Sequence, residues 1–346
     1  MSHVTEQTIS ALAGPHDRGR EGPGRAAAGR RAPGLERLED RTVPSSFTAA
    51  SVSGLVADIN AANATGGSNT ITLVAGNTFT MTAVDNTTDG ATGLPVIASG
   101  DNLTIVGNGD VIQRSTADGT PAFRLFDVAS GASVALANLT LQGGLSGQGG
   151  AIYSQGSLNL NGVTVQSNIA QGSNYSGGGG IFSSGLLTAN ASTIQNNQAL
   201  GLDGSGVGAN GDSTQGGGIL VWGGTASLTN VTVQNNTAQG GRGGPPGKSF
   251  FGGPHVRGGN GGNAAAGGML VLNGATVSLH NCIVTQNNAV AGKGVAGGTD
   301  GLGEGGGLWI DSLASVCLDT LTVAKVSNNK ASTSSNNIYG SYTICP

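Results

Sequence analysis

From Asn69 onward, apolar residues come in short runs of period two, each broken after a few positions by Gly or Asn. The stretches NTITLVAG, DNLTIVGNGDVIQRS and FRLFDVASGASVALANLTLQGG read as strands separated by turns. One segment departs from that period. Val52, Leu55, Val56, Ile59 and Ala62 recur at helical spacing and predict one short amphipathic helix over 52–63. Lying ahead of stacked strands, it is expected to cap the first coil.

From residue 149 the pattern becomes an internal repeat. A Gly-rich pair or triplet leads into an aliphatic residue at Ile152, Ile181, Ile219, Met269 and Leu308. A second short strand follows, then a third that ends at Asn168, Asn197, Asn236, Asn288 and Asn329. The path from aliphatic residue to Asn takes 16, 16, 17, 19 and 21 residues, whereas the path on to the next repeat takes 13, 22, 33 and 20. Insertions thus leave from one edge, at 199–217, 238–267 and 289–306, as they do in a solenoid. The predicted fold is all-β: a single-stranded right-handed parallel β-helix over 46–346, with three short strands per coil and roughly eight or nine coils along an axis of about 40 Å.

Alternation sorts the columns. Ile152, Ile181, Ile219, Met269 and Leu308 face inward on the first strand; Leu160, Ala189, Leu228, Leu279 and Leu318 on the second; Val165, Ile194 and Val233 on the third. The terminal Asn of the third strand suits a left-handed backbone, and its side chain can hydrogen-bond along the axis. Outward on the second strand lie Asn159, Thr188, Ser227, Ser278 and Cys317, as a solvated face requires. Outward on the first lie Tyr153, Phe182, Leu220, Leu270 and Trp309, an apolar row that needs either a cover or a ligand. The Gly-rich inserts could supply the cover; a sugar or another protein could be the ligand.

Composition narrows the classes. Of 346 residues 64 are Gly and 10% are charged, which argues against helical bundles and doubly wound enzymes, and the absence of a strict Gly-X-Y period argues against collagen. Residues 1–45 hold seven Arg against six acids and no sustained apolar period, so they read as a disordered leader. The net charge of −4 offers no basic face for nucleic acid, and no apolar stretch is long enough for an integral membrane protein.

Candidate chemistry is sparse. No cofactor is expected: the Gly-x-Gly-x-x-Gly matches lie in inserts, without the strand-turn-helix setting that aims amides at a phosphate. Asp203, Asp212, Asp300 and Glu304 in the inserts could meet calcium, but their spacing is not that of tandem nonapeptides, and a solvated loop is the simpler reading. His255 and His280 have no Ser or Cys partner at a matching coil position. Acids and arginines gather only over 85–127, at Asp85, Asp89, Asp101, Asp110, Arg114, Asp118, Arg124 and Asp127. Aligning the last strand with the preceding coil sets Ile344 beside Val316 and Cys345 beside Cys317, within disulfide reach; two reduced thiols are the alternative, and Cys282 is left over.

LERLEDRTVPS at 35–45 resembles the N-terminal motif shared by many exported or surface proteins of planctomycete bacteria. GLPVI, LTIVGNG, IQRS and TPAFRLFDV, with the later GG and QNN repeats, resemble right-handed parallel β-helix repeat proteins of bacterial surfaces. The resemblance implies an extracellular or cell-surface, adhesin-like protein; with a rod-like repeat and no acid, base, nucleophile or metal set, the expectation is a non-enzymatic scaffold whose partners are cell-envelope polysaccharide or surface proteins. The alternative is a polysaccharide lyase or glycoside hydrolase acting on acidic polysaccharide.

Overall fold

The computed structural model describes residues 44–173, 176–248 and 255–345. The expected leader lies outside the described residues except for Pro44 and Ser45. Of the described residues, 46% are strand and 7% helix, in a solenoid-like arrangement of long parallel sheets built from short strands. Each strand pairs in parallel with its equivalent one coil earlier and one coil later, as in Leu158↔Leu187↔Ala226↔Val277↔Val316.

The expected helix is present as α1, Val52–Thr65, with Leu55, Ile59 and Ala62 buried in the core. Ser51 caps it by accepting a hydrogen bond from the Gly54 N–H. It does not open the stack, however. The strand Ser45–Ala49 precedes it and pairs with Gly67–Leu73, so the chain enters the sheet, leaves for the helix and returns.

All three predicted inward columns are buried. The coils hold more strand than expected, because two further ladders follow the third strand. One runs through Ile169–Gln171, Gln198–Leu200, Thr237–Gln239 and Asn288–Val290; the other through Ser176–Gly177, Thr214–Gln215, Ala264–Ala265 and Gly303–Glu304. Strands of two or three residues are too short to show an apolar period, which is why the repeat concealed them.

The turn after the third strand corrects two expectations. The left-handed residue is the one before the ladder Asn: Ser167, Asn196, Asn235, Gln286 and Asn328 have φ between 53° and 57°. In the fourth repeat the ladder member is therefore Asn287, not Asn288, which begins the next strand. The ladder is Asn168, Asn197, Asn236, Asn287 and Asn329, all buried. Each Nδ2 donates to the next Oδ1 at 2.9–3.0 Å, and each Oδ1 also accepts the backbone N–H of the preceding Asn at 2.9–3.0 Å. Nδ2 of Asn197, Asn236, Asn287 and Asn329 also donates to a strand carbonyl one coil back. The amides thus replace backbone pairing where the chain turns. A solvent-side ladder of Gln113, Gln142, Gln166, Gln195 and Gln234 runs beside it, with bonds of 2.6–2.9 Å.

The inserts stack on one another through glycine. Gly at three-residue spacing (241 and 244, 259 and 262) sets one leg against the next, with bonds such as Gly262 N–H to Gly241 O and Gly259 N–H to Gly244 O. A Cβ at Gly259 or Gly262 would collide with the carbonyl of Ala209 or Asp212. Three-residue Gly spacing is what legs packed this closely demand, since only Gly fits at a crowded axis.

Candidate functional site

The first sheet sets the apolar row in one register: Asp127, Tyr153, Phe182, Leu220, Leu270, Trp309 and Tyr339. The five expected members are joined at the ends by Asp127 and Tyr339. Neither follows a Gly-Gly pair, so the repeat pattern could not flag them.

The middle of the row is covered. Phe182, Leu220 and Leu270 are buried in a cluster with Ala266. The cover is the end of each connection, with or without an insert: the two-residue strand and the glycine turn before the first strand. A Cβ at Gly177 would strike the Leu220 side chain, and one at Gly216, with φ of 61°, would crowd Leu220 Cβ at 3.3 Å.

At the Tyr153 end both ring faces are occupied. Phe182 stacks on one face with centroids 4.7 Å apart and planes 13° apart, and the Arg124 guanidinium lies 4.7 Å over the ring on the other. Arg124 also donates to the Asp89 carbonyl at 2.8 Å and to Ser146 Oγ at 3.1 Å, and lies 3.9 Å from Asp127. Both side chains are sealed, at 4% and 0% exposure. Neither carboxylate oxygen of Asp127 has a hydrogen-bond partner. Burial pushes the Asp127 carboxyl up to about 6, against the pull of Arg124.

At the Trp309 end one ring face is open. Tyr339 stacks on the indole with centroids 5.1 Å apart and planes 5° apart. The neighbour on the other side is Leu270, a smaller group. There a cleft of about 270 Å³ opens, lined by Leu270, Leu272, Trp309, Leu302, Glu304 and Gln215, with Ser213, Thr214, Asn263, Ala264 and Ala265 along its insert side. Glu304 is the only charged residue of this lining. Its carboxylate accepts from the indole Nε1 at 3.5 Å and from Ser334 Oγ at 3.2 Å, which holds the ring in place.

The other acids and arginines of 85–127 do not converge on one site. Asp110 accepts the Asn77 N–H at 2.7 Å, Asp101 is buried at the start of its strand, and Arg114 donates to the carbonyls of Pro121 and Thr120. Asp85, Asp89 and Asp118 are exposed, and only the Asp89 carbonyl reaches Arg124. Among the described residues no group of three or more His, Cys, Asp or Glu could hold a metal, and no helix is long and apolar enough to cross a membrane.

Cys317 and Cys345 are joined by a disulfide, Cα atoms 5.3 Å apart. The strand register differs from expectation by two residues: Thr343 pairs with Cys317, and Ile344 with Leu318 rather than Val316. Cys317 lies within Ser315–Leu318 and Cys345 just past Thr343–Ile344, so the bond joins positions offset by two residues instead of direct strand partners. Cys282 is buried, and burial pushes its thiol up to about 11. Comparison with protein-family models, curated proteins and solved structures finds no match for this chain.

Proposed function

We propose that the chain is a right-handed parallel β-helix serving as a non-enzymatic scaffold outside the cell or on its surface, where it binds envelope glycan. The right-handed sense is supported by the general preference of parallel strands for right-handed crossovers. The observation that carries the functional reading is the aromatic row, displayed on a stack that buried Asn side chains tie coil to coil and left partly open at Trp309. The 35–45 motif supports export, and the disulfide fits an oxidising compartment. Fractionating native cells and measuring retention of the purified protein on their envelope polysaccharide tests this. A purely cytosolic protein without retention would sink it.

A second reading, an enzyme acting on acidic polysaccharide, draws on Asp127, whose carboxyl titrates near 6, a value suited to a general acid. Its burial under the 85–100 segment ranks it second, because substrate would have to displace that cover. Turnover of a uronate polymer that disappears in Asp127→Asn would reverse the order.

A further inference from the structure

We propose that the cleft under Trp309 binds a single residue of a neutral glycan, its ring packed on the open face of the indole. The proposal rests on the glycan-binding reading above and narrows it to one place and one chemical class.

The aromatic column creates this opening by a mismatch of size. Within the column Tyr153 meets Phe182, and Trp309 meets Tyr339, ring on ring. Between Leu270 and Trp309 a small side chain neighbours a large one, and the cleft opens beside them, where the indole reaches past the leucine. Leu272 offers an apolar floor above the buried Leu270, and the indole a flat apolar wall. A sugar ring offers the matching shape: C–H groups on its faces and hydroxyls around its edge. Hydroxyls need partners when they leave water, and the rim supplies them. The Gln215 side chain makes no hydrogen bond within the described structure, and Asn263 uses its Oδ1 to accept the Leu302 N–H at 2.8 Å while its Nδ2 stays free. An apolar enclosure with a few convergent polar groups is the usual form of a small-ligand site.

Charge selects the class. Glu304 alone is charged, and it points a carboxylate into the lining beside the indole. A uronate or sulfated sugar would bring a like charge into a partly desolvated space, and that repulsion costs affinity. Neutral hexose or N-acetylhexosamine residues meet no such repulsion, and Glu304 can accept one of their hydroxyls.

The two tryptophans of the chain allow a direct test. In Trp222→Phe the sole indole is Trp309, so its fluorescence reports on the cleft. Short gluco-, manno- and N-acetylgluco-oligosaccharides are titrated in turn, with oligogalacturonate as the acidic control. At least one neutral series should shift the emission saturably, and oligogalacturonate should not. Trp309→Leu, a residue the column already accepts at 220 and 270, should keep the fold by circular dichroism and bind that oligosaccharide about tenfold more weakly by calorimetry, the loss of one ring-stacking contact. Glu304→Gln should narrow the gap between neutral and acidic oligomers. No emission change with any neutral series, a response to oligogalacturonate alone, or unchanged binding in Trp309→Leu would each overturn the cleft proposal. If the protein still adheres to native envelopes in those cases, the scaffold reading survives and only the site is wrong.

Discussion

The two ends of the outward column share a sheet, a register and a residue class, yet Tyr153 is locked and Trp309 is not. Tyr153 has an aromatic ring on one face and a guanidinium on the other; Trp309 has a ring on one face and a leucine too small to fill the other. An exposed-looking aromatic in a repeat is thus structural or available according to the size of its neighbours one coil away. The residue itself does not decide the matter.

Arg124→Ala is the sharpest way to break the closed end. It strips the partner from the buried Asp127 carboxylate and removes the cover from Tyr153, at an expected cost of about 4 kcal/mol at pH 8 in denaturant unfolding. The loss should shrink below about pH 6, where Asp127 takes up a proton. A variant as stable as the parent at pH 8 would mean that the closed end is not held electrostatically.

The open end is fastened differently. Removing the Cys317–Cys345 bond by Cys→Ser at both positions, 28 residues apart, should cost about 3 kcal/mol. Because solenoid contacts are local, faster hydrogen exchange should appear over 315–345 and leave 150–200 unchanged. Uniform acceleration along the chain would contradict this locality.

Side-chain truncation then compares the two ends directly. Phe182→Ala leaves a hole in a buried, ring-stacked site and is expected to cost roughly 3 kcal/mol. Trp309→Leu, at a half-buried position beside an existing cleft, should cost roughly 1 kcal/mol. Equal losses in chemical unfolding would erase the distinction between the two ends.

The closed end also carries a pH dependence, that of Asp127. Its folded value, about 6, lies above the ordinary 3.8, so the folded state holds the proton more tightly than the unfolded chain does. The stabilisation is complete below about pH 4 and is lost as pH rises through 6, amounting to roughly 3 kcal/mol. Asp127→Asn should lack this component, and unfolding curves for both proteins between pH 4 and 7 would show it. Parallel pH profiles would mean that Asp127 does not titrate in this window.

Much of this arrangement was legible in the chain. Period-two alternation placed Ile152 through Leu308 and Leu160 through Leu318 inward, and the same alternation placed Tyr153 through Trp309 outward in the register observed. The repeat pattern points to Asn288 where the ladder holds Asn287, because two adjacent Asn satisfy the same pattern and only the buried amide ladder distinguishes them. The cleft escaped because Leu270, Glu304 and Gln215 come from three separate coils, and none of them is unusual in its own segment.

The sequence by itself determined the repeat, the inward columns, the helix over 52–63 and the edge from which the inserts leave, because each follows from side-chain period and local turn chemistry. Tertiary structure alone decided which of two Asn joins the ladder, how the last strand aligns beside Leu318, and which aromatic keeps an open face. Those outcomes depend on groups brought to about 5 Å by stacking from positions 26 to 51 residues apart, and no local pattern records that neighbourhood.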